Sequence, residues 1–75
     1  MKVQIESTPT ISSNNEPLVI LNGIINAALK SRSLDDFRNN IKAVDTFGFK
    51  IGFGGSHAWV QQNTQDSRML FITEN

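Results

Sequence analysis

The sequence predicts an α+β fold in the order β-α-α-β-β-β, with two helices packed on one face of a small antiparallel or mixed sheet. Hydrophobic residues recur with a period of two at residues 2–6, about 3.6 at residues 17–47, and two again from Phe49 onward. The pair Gly54-Gly55 between two alternating runs is a strong hairpin signal. A chain of 75 residues with 39% hydrophobic content can fill one modest core, so residues 1–75 are expected to form a single domain.

Charge and cysteine content exclude several classes of function. Seven basic residues balance seven acidic ones, so nothing attracts the chain to a phosphate backbone at long range, and nucleic acid is the less favoured partner. The absence of cysteine excludes disulfides and thiolate chemistry, is compatible with a reducing compartment, and favours a cytoplasmic location. The longest apolar run, residues 18–21, is too short for a membrane span.

The first half of the chain reads as a strand, a loop and a helix. Alternation of Val3 and Ile5 with polar residues predicts a strand at residues 2–6, and the turn-forming residues 7–16 predict a loop. Pro17, with Asn15 as a cap, predicts a helix over residues 17–30. Apolar side chains surround most of this helix, so we expect it to be largely buried.

A second, amphipathic helix is predicted to start after Ser33, whose hydroxyl can cap it. Leu34, Phe37, Ile41 and Val44 form its apolar stripe and extend it to about residue 47. Gly48 is then expected to be a left-handed C-terminal cap.

The hairpin that follows defines the two faces of the sheet. A two-residue turn at Gly54-Gly55, with positive φ at both glycines, would place Phe53 opposite Ser56 and Lys50 opposite Trp59. One face would carry the apolar residues. The other would carry Lys50, Gly52, His57, Trp59 and Gln61.

The last strand, residues 68–73, contains the run Met69-Leu70-Phe71-Ile72. In either register, two of these large side chains are expected on the Trp59 side of the sheet. That side would then need a cover, supplied by residues 7–16, a second copy of the chain or another protein.

Catalytic, metal and cofactor sites are not predicted. His57 is the only histidine, Ser56 would point to the opposite face, and Asp66 and Glu74 lack the spacing of metal ligands. The glycines at 52, 54 and 55 precede a strand, whereas phosphate-binding loops lead into a helix.

A short segment resembles a known family. The residues Gly48-Phe49 and Gly55-Ser56-His57-Ala58-Trp59-Val60, preceded by the helix at 33–47, resemble the arrangement in HicA-type mRNA interferase toxins. That resemblance implies a catalytic role for His57. The spacing between the two glycine motifs is tighter here, the family's closing Val-Pro-His element is replaced by residues 71–75, and residues 1–32 have no counterpart.

We therefore expect a small non-enzymatic interaction module, a regulator or inhibitor of a larger protein, of the kind often encoded by phages and mobile elements. Its expected partner-binding residues are Trp59, His57, Lys50 and Arg68, because tryptophan is enriched among interface hot spots. Weak self-association through the same face is also expected. The alternatives are nucleic-acid binding by these four residues, where Trp59 would stack on bases, and a small RNase-like toxin centred on His57.

Overall fold

In the computed structural model the chain is described over residues 1–9 and 15–74. Its elements are β1 (Lys2–Ile5), α1 (Glu16–Lys30), α2 (Leu34–Asn40), a 3₁₀ turn (Ile41–Ala43), β2 (Phe49–Phe53), β3 (His57–Gln62) and β4 (Arg68–Thr73). The predicted α+β order is confirmed. Residues 10–14 of the predicted loop lie outside the described residues, and with them half of the segment 7–16, one of the three candidate covers for the Trp59 side.

The four strands form one antiparallel sheet in the order β1-β4-β3-β2. Both helices pack on one side, which we call the helix face, and the opposite side is the open face. Side chains on the helix face interlock with the apolar sides of the helices to build the core. The buried core residues are Ile20, Leu21, Ile24, Ala27, Ala28, Phe37, Phe49, Ala58, Val60, Met69, Leu70 and Ile72.

Helix α1 buries only one of its sides. Ile24 and Ala28 are fully buried, but Val19 and Leu29 are 67% and 58% exposed. The expectation of a largely buried helix is therefore wrong for its outer side, because the sheet and α2 cover only the side that faces them. Asn15 precedes the helix as predicted, but its side chain accepts no capping hydrogen bond.

Helix α2 starts as predicted and ends early. Ser33 Oγ accepts a hydrogen bond from Asp36 N at 3.1 Å, which is the expected cap. The α-helix ends at Asn40, however, and a 3₁₀ turn follows it. The spacing of three from Ile41 to Val44 suits either geometry, so the hydrophobic pattern could not mark this end. Both side chains pack against the core.

Gly48 adopts positive φ (87°), as expected, but in a different role. Phe49 N donates to Thr46 O at 3.0 Å, so Gly48 is the third residue of a four-residue turn that leads into β2. This position of a type II turn requires positive φ and therefore favours glycine. The prediction of a helix cap is wrong because the helix has already ended eight residues before.

The β2–β3 hairpin has the predicted faces but a different register. Phe53 pairs with Ala58, and Gly54 N donates to His57 O at 2.8 Å, which makes Gly55 and Ser56 the central turn residues. Neither Gly54 nor Gly55 has positive φ. The register differs by two residues from the predicted one, and since side chains alternate with period two, each stays on its expected face.

A β-bulge shifts the pairing of β3 with β4. Val60 pairs with Leu70, but Gln61 pairs with Arg68, so Met69 is the extra residue on β4. Met69 is fully buried in the core. The expectation of two large apolar side chains from this strand on the Trp59 side is therefore wrong, and Phe71 is the one that lies there.

Candidate interaction surface

Three aromatic rings meet at the centre of the open face. Trp59 on β3 and Phe71 on β4 are directly opposite in the register. The His57 ring lies 5.1 Å from that of Phe71 in a stacked arrangement and 6.2 Å from that of Trp59. All three residues are half-buried although no described element covers this face. We call Trp59, His57 and Phe71 the aromatic cluster.

Two glycines make room for the cluster. The indole of Trp59 lies over Gly52, its direct partner on β2, so closely that a Cβ there would be 2.0 Å from Cζ2 of the ring. A Cβ at Gly54 would be 2.6 Å from Cε1 of His57. At both glycines an aromatic ring therefore packs closely against the backbone. A ring that covers a glycine in a strand restores packing that a side chain would otherwise supply.

Arg68 closes one side of the cluster. Its guanidinium carbon is 4.4 Å from the centroid of the Phe71 ring, a cation–π contact. The same guanidinium donates from Nε to Glu6 Oε1 and from Nη2 to Glu6 Oε2, the latter at 3.2 Å. These hydrogen bonds lower the pKa of the Glu6 carboxyl and raise that of Arg68. Arg68 is thus bound within the chain on both its planar face and its donor edge.

Lys50 is the other predicted cation of this surface. It lies exposed on the open face of β2, opposite Gln61. The predicted pairing of Lys50 with Trp59 is wrong, because the hairpin register places Gly52 across from Trp59. Lys2, also exposed, lies on the same face of β1, opposite Thr73. Both lysines therefore flank the aromatic cluster from the two edges of the sheet.

The structure thus brings together three of the four predicted residues. His57, Trp59 and Arg68 are connected through Phe71, and Lys50 stands apart at the sheet edge. Sequence reasoning missed Phe71 and Glu6. The run at residues 69–72 left its register open, and the pairing of Phe71 with Trp59 is what places Phe71 on the open face. Glu6 gave no signal, because its ion pair joins residues 62 positions apart.

The chemistry of this surface is that of contact and stacking. The His57 ring touches two aromatic rings, and its side chain makes no hydrogen bond within the part of the chain that the structure describes. Over residues 1–9 and 15–74, no group of three or more His, Asp or Glu side chains is placed to hold a metal ion. The surface is a half-buried aromatic patch with cations at its margins.

A small pocket opens elsewhere, at the start of α1 on the helix side. It has a volume of about 140 Å³ and is lined by Glu16, Pro17, Ile20, Phe47, Gly48, Phe49 and Gln62. Its walls are mainly apolar, and the aromatic cluster contributes nothing to it.

Comparison with known proteins adds no relative. No protein-family model matches the sequence, and neither a curated protein nor a solved structure is significantly similar to it. The resemblance to HicA-type toxins is therefore confined to the short segment quoted above. None of the described helices is both long enough and apolar enough to cross a membrane.

Proposed function

We propose that this protein is a small non-enzymatic interaction module that regulates or inhibits a larger protein by binding it through the open face. The binding residues are Trp59, His57, Lys50 and Arg68, with Phe71 added from the structure. The proposal includes weak association of the module with itself. A cytoplasmic location and a phage or mobile-element origin are parts of the same hypothesis.

The position of Trp59 carries the proposal. A large aromatic side chain lies half-buried on a sheet face that neither helix covers, next to Phe71 and His57. Its indole is supported from beneath by Gly52, so little side-chain freedom remains to be lost on binding. A preorganised aromatic anchor inside a rim of polar and charged residues is typical of protein-binding hot spots.

Arg68 favours a protein partner over nucleic acid. Two of its N–H donors bind Glu6, and its guanidinium covers Phe71, so part of its binding capacity is already used within the chain. Lys2, Lys50 and Arg68 are the exposed cations of the face, too few for the phosphate contacts that dominate nucleic-acid affinity. Stacking of a base on Trp59 stays the second candidate, because the indole is placed on an open antiparallel sheet.

The test is affinity purification from a lysate of the cells that encode the protein, with wild type, Trp59→Ala and Phe47→Ala in parallel. Phe47 is a matched control, since it is 77% exposed and belongs to the helix side. The proposal expects a protein that wild type and Phe47→Ala retain and that Trp59→Ala loses. Washing at about 50 and 200 mM salt separates the two candidates, because phosphate contacts weaken by orders of magnitude over that range.

Retention of the same proteins by Trp59→Ala would contradict the proposal. Recovery of nucleic acid that the higher salt releases would replace it with the second candidate. The toxin alternative has its own assay, RNA cleavage by wild type and His57→Ala. The proposal expects no cleavage that depends on His57, and a loss of several hundred-fold in the folded variant would establish the enzyme instead.

A further inference from the structure

Strand β2 is an edge of the sheet, and within residues 1–9 and 15–74 some of its backbone groups have no partner. Gly54 N donates to His57 O, and Asn63 N donates to Gly48 O, so Gly54 and Gly48 bond toward β3. Because bonding alternates along an antiparallel pair, the N–H and C=O groups of Phe49, Ile51 and Phe53 point outward. Phe49 N is bonded to Thr46 O, which leaves its carbonyl and both groups of Ile51 and Phe53 facing out.

We propose that a second copy of the chain binds this edge, with the two β2 strands antiparallel about a two-fold axis at Ile51. The sheet then becomes continuous over eight strands. Ile51 of each copy exchanges two hydrogen bonds with Ile51 of the other, and Phe53 N donates to Phe49 O of the second copy, twice by symmetry. This inference concerns the β2 edge, which meets the surface of the proposed function only at Lys50 and Trp59, and it does not depend on that function.

The register follows from the side chains of the open face. Centring the axis on Ile51 pairs all five residues of β2 and places Lys50 of one copy opposite Gly52 of the other. Gly52 carries the Trp59 indole, so the ammonium of Lys50 meets an aromatic ring there. Moving the axis to Lys50 would instead place the two lysines directly opposite each other, which is destabilising.

Charges on the helix side are complementary under the same symmetry. Arg38 lies with its guanidinium carbon 4.3 Å from the centroid of the Phe53 ring, at one end of β2. Glu16 lines the pocket beside Phe49, at the other end. The two-fold axis pairs Phe53 with Phe49 of the second copy, and thereby brings Arg38 toward Glu16 of the second copy. Attraction therefore acts at both ends of the shared strand pair.

The dimer would complete the open-face site. Lys50, which stands apart from the aromatic cluster within one chain, reaches Trp59 of the second copy. Two five-residue strands and their flanking side chains form a small interface, so we expect a dissociation constant in the micromolar range or weaker.

Sedimentation equilibrium on the purified full chain, up to about 1 mM, measures the association. Lys50→Glu and Lys2→Glu make the same charge change on the open face. Lys50 lies at the paired edge, on β2, and Lys2 lies at the opposite edge, on β1. We expect Lys50→Glu to weaken the dimer about tenfold or more and Lys2→Glu to change it less than threefold. Arg38→Glu and Glu16→Lys should each weaken it, and the double variant should restore it. Circular dichroism checks that each variant is folded.

A single monomer mass throughout the series would overturn the inference. Equal weakening by Lys50→Glu and Lys2→Glu would also overturn it, because that result points to stacking of two open faces. Failure of the double variant to restore association would exclude the stated register. A monomer mass would also remove the self-association that the proposed function includes. None of these outcomes bears on whether Trp59→Ala loses a larger partner, so partner binding and this dimer fail separately.

Discussion

The indole of Trp59 lies directly over Gly52, its cross-strand partner, and this contact organises the open face. The glycine is needed because any side chain at position 52 would occupy the volume of the ring. The contact holds Trp59 in place between the edge strand and Phe71. A rigid aromatic centre is thus built into a face that the helices leave uncovered.

Replacing Gly52 by alanine should move the indole. We expect the emission of Trp59, the only tryptophan, to shift toward longer wavelength, with a loss of about 1 kcal/mol in unfolding free energy from the disturbed cross-strand pair. Gly55→Ala is the matched control, because a Cβ at Gly55 meets nothing within 4 Å. Identical fluorescence in the two variants would show that the ring does not depend on Gly52.

Met69 should be among the most sensitive positions of the core. Met69→Ala removes a fully buried side chain at the bulge and is expected to destabilise the fold by about 2–5 kcal/mol in urea unfolding. Leu29→Ala, at a residue 58% exposed, should stay within about 0.5 kcal/mol of wild type. A small effect at Met69 would mean that its side chain points to the open face, as it would in a strand without the bulge.

The two helix starts should respond differently to loss of their cap residues. Ser33→Ala removes the hydroxyl that accepts from Asp36 N and should cost about 1 kcal/mol of stability. Asn15→Ala should change stability by less than about 0.5 kcal/mol, because the Asn15 side chain makes no capping bond. Thermal or denaturant unfolding of both variants compares the two helices, and equal losses would contradict the described caps.

The Glu6–Arg68 pair predicts a specific pH dependence. Hydrogen bonds from Arg68 hold the pKa of Glu6 below its ordinary value of 4.5 in the folded chain. The pair therefore contributes its full stability above about pH 4.5 and loses it as the pH falls through the lowered folded pKa. Carboxyl carbon shifts of Glu6 in an NMR titration measure this directly. Arg68→Gln should return the pKa toward 4.5, and an unchanged titration in that variant would refute the pairing.

Most of the fold was predictable because local chemistry dictates it. The alternation at Phe49–Phe53, the Ser33 cap and the positive φ of Gly48 each give a signal within a few residues. The errors arose where two structures satisfy the same pattern. A two-residue change in the hairpin register preserves both faces, and a 3₁₀ turn preserves the spacing of the α2 stripe.

The site was less predictable, because it depends on contacts between distant segments. His57 and Trp59 were identified from one strand, but Phe71 joins them only through the register in which β4 pairs with β3. The ion pair between Glu6 and Arg68 joins the two ends of the chain and partly neutralises the charge that had made Arg68 a nucleic-acid candidate. No local pattern reports either event.

Anchoring of a protein partner by Trp59 on the open face is the main proposed property of this chain. Its most direct test is the dissociation constant of the partner recovered by affinity purification, measured for Trp59→Ala and Phe47→Ala by calorimetry at fixed salt. We predict that Trp59→Ala weakens binding at least about 30-fold, the loss of roughly 2 kcal/mol that defines a hot spot, while Phe47→Ala stays within about threefold of wild type. Equal affinities for the two variants, with both folded, would contradict the claim.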